Sequence, residues 1–141
     1  MKIGIGNDHA AVDMKNEISE YLKEKGYEVV SVSSSGPELD LLRKDGIKVT
    51  EVPMERHISL IKDLLSFKNL VFIFRKEKPR MVHSMTPKAG LLCMIASYIT
   101  HVPIRVHTFT GLVWPTAKGL TRRILMFTDW LTCACATHII P

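Results

Sequence analysis

Short apolar runs alternate with longer stretches in which apolar positions recur every third or fourth residue, and the alternation continues to the end of the chain. Residues 2–6 are apolar and β-prone and end in glycine and an Asn-Asp pair, the pattern of a buried strand closing in a turn. Across residues 10–25, Val12, Met14, Ile18, Tyr21 and Leu22 fall at near-helical spacing between charged residues, and Gly26 supplies the stop. "YEVVSVS", residues 27–33, predicts a second strand. Strand, helix and strand in about 30 residues make a βαβ unit, whose crossover in a parallel sheet is right-handed.

The same reading predicts a short helix over 38–44, a strand over 47–52, a long helix over about 58–76 and a strand over 80–85. It continues with a helix over 87–99, a strand over 103–109, a helix over about 120–134 and a strand over 137–140. Six strands alternating with helices predict a single α/β domain, a three-layer Rossmann-like doubly wound sheet of about six parallel strands. With no helix after the sixth strand, the sheet is expected to be C-terminally incomplete, leaving apolar surface for self-association or a partner.

Ligands of such sheets collect beyond the carboxyl ends of the strands, which here are residues 7–9, 33–36, 53–57, 83–88 and 107–111. In "VHSMTPKAG", Thr86 and Pro87 mark a helix start whose N–H groups can hold an anion. Lys88 adds positive charge there, and His83 and Ser84 stand at the strand end. A capped helix without a ligand accounts for the same spacing. His107 ends the fifth strand beside Thr108 and Gly111 in a position expected to face the cleft, or else to be a hydrogen-bonded structural histidine. Gly4 and Gly6 imitate a dinucleotide fingerprint, but His9 occupies the third glycine position and "SVSSSG" offers no acid for a ribose.

Composition narrows the partners. The chain carries a net charge of +5, with basic clusters at 75–80 ("RKEKPR") and 118–123 ("KGLTRR") suited to phosphates or an anionic membrane. Zinc-finger spacing, an RRM signature and an extended basic helix are all missing, which argues against nucleic acid. Three cysteines, an odd number, argue against a disulfide framework. Cys133, Cys135 and His138 lack a fourth ligand at a common zinc spacing, so no metal is expected. The start lacks a signal-peptide core and no apolar run reaches the roughly 18 residues of a spanning helix, which predicts a cytoplasmic protein. Trp114 and the face of Leu125, Met126, Phe127 and Trp130, beside Arg122 and Arg123, suit either core packing or contact with the inner face of the membrane.

Two resemblances complete the picture. Residues 1–30, through "KIGIGNDHAA", resemble the start of the ribose-5-phosphate isomerase B and galactose-6-phosphate isomerase family. That resemblance implies a sugar-phosphate loop containing Asp8 and His9, although the family's acid/base residue, commonly a cysteine in a "GTG" type loop, has no counterpart. From about Val30 the chain resembles the N-terminal half of family 4 glycosyltransferases of GT-B architecture, particularly those of bacterial surface-polysaccharide synthesis. The residues carrying it are "GPELDLLRKDGIKVTEVPMERHISLIKDL", "RKEKPRMVHSMTPKAGLL", "VPIRVHTFTGLVWP" and "LTCACATHIIP".

The second resemblance implies an acceptor-side domain for sugar transfer from a nucleotide-sugar donor to a glycan or lipid-linked acceptor. The donor is the expected co-substrate, with no separate cofactor. His107 is then the expected catalytic residue, contacting the transferred sugar, and His83, Ser84, Thr86, Lys88, Thr108 and Gly111 are expected to bind substrate. Glu55, Arg56 and His57 line the acceptor side or cap the long helix. A GT-B enzyme holds its donor mainly in a C-terminal domain, so this chain alone is expected to be inactive and to need a donor-domain partner chain. Together the resemblances imply a chimera, isomerase-like over 1–30 and transferase-like over 31–141. An aldose–ketose isomerase and a non-catalytic binding or scaffold module are the alternatives.

Overall fold

The computed structural model describes residues 1–7, 12–35, 39–44, 46–54 and 59–141, the side chains of residues 6, 7, 12–16 and 41 excepted. Among them, six parallel strands are β1 (Lys2–Asn7), β2 (Glu28–Ser33), β3 (Lys48–Glu51), β4 (Met81–Ser84), β5 (Ile104–Thr108) and β6 (His138–Ile140). The helices between them are α1 (Val12–Glu24), α2 (Leu39–Lys44), α3 (Leu60–Glu77), α4 (Pro87–Ile99) and α5 (Gly119–Cys135). The expected element order is observed throughout. In the sheet the strands run β3-β2-β1-β4-β5-β6. The chain thus winds outward from β1 to β3, then returns across β1 to β4 and winds the other way, the doubly wound arrangement.

Period-two alternation divides the apolar residues between the two faces. Ile3, Ile5 and Val29 join Leu39, Leu42 and Ile47 in one core, against which Ile18 and Leu22 of α1 pack. On the opposite face Val30, Val32 and Val82 pack with Leu70 and Phe74 of α3, Ala89, Cys93, Met94 and Ala96 of α4, and Cys135 of α5. On that second face α4 lies between α3 and α5. The small residues along α4, with Ala89, Gly90, Cys93, Ala96 and Ser97 all buried, let it approach both its neighbours and the sheet.

Local signals explain the helix limits. Ser59 precedes α3 in extended conformation, and its N–H donates to Asp63 Oδ2 at 3.2 Å while the Asp63 N–H donates to the Ser59 carbonyl at 2.7 Å. At the other end Lys78 is left-handed, its N–H bonds the Phe74 carbonyl, and Pro79 prevents continuation. Glu77 then clamps the helix end to the sheet, accepting from Lys2 of β1 at 3.1 Å and Lys48 of β3 at 2.6 Å. α4 begins with Thr86 extended and Pro87 in the first turn.

α5 departs from expectation. Leu125 is half-buried, but Met126, Phe127 and Trp130 are 45%, 57% and 62% exposed, so this face is not core. Its C-terminal half packs through Leu131, Thr132 and Cys135, while every residue from 118 to 124 is exposed, with the Arg122 guanidinium over the Trp114 ring.

Candidate functional site at the carboxyl edge of the sheet

The reversal of strand order falls between β1 and β4, so the carboxyl ends of β1, β4 and β5 and the start of α4 share one edge. Register sets the details. Ser84 is paired with His107 across β4 and β5, and their side chains are therefore on one face, with Ser84 Oγ 2.9 Å from His107 Nδ1. One residue earlier the opposite face holds His83, whose Nε2 lies 2.8 Å from Thr108 Oγ1. Beyond the strands, the Thr110 hydroxyl donates to the Met85 carbonyl at 3.1 Å and ties the two strand-to-helix loops together.

Thr86 is 1% exposed, and its hydroxyl neither caps α4 nor meets any described partner. A buried hydroxyl at the positive end of a 13-residue helix is suited to an anionic or hydroxyl-rich ligand. Lys88 follows in the first turn, paired at 2.6 Å with Asp63 at the start of α3. This pair fixes the α3 and α4 starts side by side and partly neutralises the charge expected of Lys88. Gly111 has φ 148°, a conformation open mainly to glycine, and lies exposed after β5.

His107 corrects the sequence expectation. Its ring does not face the cleft; it is 0% exposed and lies beneath α4, where a Cβ on Gly90 would be 2.3 Å from its Cε1. Nδ1 is engaged by Ser84, Nε2 has no described partner, and Phe109 packs edge-on at 4.5 Å. Burial, reinforced by nearby His83, lowers its pKa to about 4, and burial also lowers that of His83. Both rings are therefore neutral at pH 7. Gly90, Asp63 and Thr110 are the residues of this edge that sequence reasoning missed; a lone glycine inside a helical pattern was the available signal.

The structure brings His83, Ser84, Thr86, Lys88, His107 and Thr108 together around β4, β5 and α4. Asp8 and His9, and the polar cluster of Glu55, Arg56 and His57, lie outside the described residues. A cavity of about 520 Å³ sits at the opposite edge, lined by Phe74, Arg75, Lys78, Arg80 and His101 among others. It lies at the C-terminal ends of α3 and α4, where cations complement the helix dipoles, and away from the ligand edge of such sheets.

The glycosyl transferase 4-like family matches residues 6–137. The chain belongs to that family. The glycosyltransferase CapM of capsular polysaccharide biosynthesis in Staphylococcus aureus is 42% identical to this family member over 127 residues, 90% of this chain and 33% of CapM. An Escherichia coli UDP-Gal:alpha-D-GlcNAc-diphosphoundecaprenol alpha-1,3-galactosyltransferase is 36% identical over 110 residues, 75% of this chain and 28% of that enzyme. The chain thus spans about a third of the length of these relatives. In fold, Anabaena HepE in complex with UDP and glucose superposes with a TM-score of 0.73 at 17% identity, over 99% of this chain and 37% of HepE. Acinetobacter baumannii MurG does so with a TM-score of 0.71 at 12% identity, over 99% of this chain and 40% of MurG.

The family match begins at the end of β1 and runs through α1 and β2 to residue 137, so the junction expected near Val30 falls inside one matched segment. The cysteines of this transferase-family chain also lack the character of an isomerase acid/base. Burial pushes Cys93 up to about 12 in the core and raises Cys133 and Cys135. Gly4 and Gly6 both lie within β1.

Proposed function

We propose that this glycosyl transferase 4-like chain is the acceptor-side domain of an enzyme that moves a sugar from a nucleotide-sugar donor to a glycan or lipid-linked acceptor in surface-polysaccharide synthesis. The observation that carries the reading is the 42% identity to CapM, which over 127 of 141 residues takes in the whole β4–α4–β5 edge. The name of the E. coli relative, a diphosphoundecaprenol-linked acceptor with a UDP-sugar donor, supports the same chemistry.

In this reading the first turn of α4 receives a phosphate or sugar hydroxyl of the acceptor. The Thr86 hydroxyl supplies the hydrogen bond it lacks otherwise, and Lys88 shares its charge between Asp63 and the ligand. Thr108 and Gly111 border the sugar. The buried Ser84–His107 pair is a positioning unit that holds α4 on the sheet; the neutral imidazole is not exposed to take a proton from substrate. The donor is a co-substrate, and no further cofactor enters the reading. Contact with the membrane's inner face follows from a lipid-linked acceptor.

Titration of the 141-residue chain with a short-chain polyprenyl-diphosphate-linked N-acetylglucosamine, read by nuclear magnetic resonance, tests this. Resonances of α4's first turn are expected to shift, with Thr86→Val and Lys88→Ala each weakening binding about tenfold, the loss of one charge-assisted or buried hydrogen bond. Unchanged affinity in both variants would remove the site. Turnover of ribose-5-phosphate or galactose-6-phosphate by the purified chain would replace the reading with the isomerase.

A further inference from the structure

The basic run at residues 75–80 plays no part at the carboxyl edge, and the fold gives it a place of its own. α3 and α4 end side by side at the amino edge of the sheet. Each passes through a left-handed residue and a proline before the next strand, Lys78 and Pro79 ahead of β4, His101 and Pro103 ahead of β5. These two turns line the cavity of about 520 Å³. A second hollow of about 530 Å³ adjoins it and shares His101, Val102 and Pro103. Phe74 and Val102 form the buried, apolar part of the first cavity, and Arg75, Lys78 and Arg80 are its exposed part.

Cations at helix carboxyl ends ordinarily serve the fold, and Arg105 in the second hollow shows how. Its Nε donates at 2.6 Å to the carbonyl of Cys135, the last residue of α5, and its Nη1 donates to the Val102 carbonyl at 2.7 Å. The same guanidinium lies 5.5 Å from the centre of the Tyr98 ring. The side chains of Arg75, Lys78 and Arg80 do none of this: among the described residues they meet no carbonyl, carboxylate or ring. No described carboxylate lines either hollow, because Glu77, the acid of the run, is engaged by Lys2 and Lys48. Three like charges around one cavity raise the positive potential there, and a bound anion relieves their repulsion.

The backbone points to the same place. Lys78 (φ 46°) and His101 (φ 58°) are the two non-glycine residues with positive φ among the described residues, and both line this cavity. Glycine is the usual residue at such a helix end, so folding alone does not call for lysine or histidine there. The prolines that follow fix the turns, which leaves the cavity preformed.

We propose that this cavity is a second ligand site, which takes a soluble anion carrying two or more linked phosphates, as free oligophosphate or as the phosphate tail of a nucleotide. Three cations match the several charges of such a chain, whereas one carboxylate would leave most of them unpaired. Arg75 and Arg80 bind phosphate oxygens in forks, and Lys78 adds a point charge. The volume suits a small molecule, and the Phe74–Val102 part accepts a base where one is attached. α4, thirteen residues and about 20 Å long, separates this site from the helix's own first turn, so the two sites do not overlap. The inference stands whatever the sugar acceptor is.

The test is a titration of the 141-residue chain, read by amide nuclear magnetic resonance, with inorganic triphosphate, adenosine triphosphate, adenosine and a decaglutamate peptide. Resonances of residues 75–80 and 100–105 should shift saturably with both phosphates, with a Kd of about 0.1 mM or tighter at low salt and clear weakening in about 0.5 M salt. Adenosine alone should leave them in place. Equal affinity for the two phosphates identifies free oligophosphate as sufficient; tighter binding of the nucleotide, with shifts at Phe74 and Val102, identifies the nucleotide. Both results support the site. Arg75→Gln with Arg80→Gln should weaken binding roughly thirtyfold, and exposure of both side chains keeps the fold intact. Lys78→Gly separates ligand from fold: it should raise the urea midpoint, because glycine suits φ 46°, while weakening binding about fivefold. Unchanged affinity in these variants would overturn the proposal. So would unsaturable shifts spread equally over Lys118, Arg122 and Arg123, a basic cluster outside both hollows, which would show general attraction of anions. Decaglutamate binding as tightly as triphosphate would overturn it as well, by making an acidic protein segment the occupant.

Discussion

His107 is neutral because it is dry. In the unfolded chain its pKa is about 6.5, and in the folded protein burial brings it to about 4. Between these values the unfolded chain binds more protons, so stability rises with pH across the window and is lost as pH falls from about 6.5 toward 4. The loss expected from this residue is on the order of 3 kcal/mol. Urea midpoints measured across that range should fall steeply for the native chain and more shallowly for His107→Gln; parallel profiles would refute the assignment. Period-two alternation correctly put Ser84 and His107 on one face, but it cannot tell a strand end that opens to solvent from one roofed by a helix. The roof is α4, and the residue that permits it, Gly90, stands seventeen positions before His107 in a different element.

That residue belongs to the scale of the helix. Gly90 lets α4 descend onto β5, since a methyl there would meet His107 Cε1 at 2.3 Å and Nδ1 at 2.7 Å. Gly→Ala inside an open helix gains about 1 kcal/mol. Here Gly90→Ala should instead cost about 1–3 kcal/mol through overpacking, measured by denaturant unfolding, and His107→Ala in the same chain should recover most of it. A stabilised single variant would show that α4 has slack. The elements themselves were legible, each described boundary falling within about two residues of its expectation, because strand and helix periods differ so plainly along this chain. What the pattern did not give was which apolar faces are covered. Leu131 and Phe127 occupy the same stripe of α5, yet one touches the core and the other does not, and only the length of helix beyond the sheet separates them.

At the scale of the whole molecule, helix order matters as much as strand order. The alternation of strands and helices implied a doubly wound sheet, and the site edge followed from that rule; the placement of α4 between two helices did not, because its sequence is merely apolar and small. Enclosed on the sheet side and on both flanks, α4 can expose its backbone only when the domain as a whole comes apart. The first turns of α5, whose residues are all exposed, need no such event. Amide hydrogen exchange should therefore grade across a single layer, with residues 93–97 exchanging at the global unfolding limit and residues 119–124 many orders faster. Uniform protection along the two helices would contradict this. The helix that roofs the candidate site is then the last part of the protein to lose its shape and the start of α5 the first, so one layer carries both the stiffest and the loosest backbone of the domain.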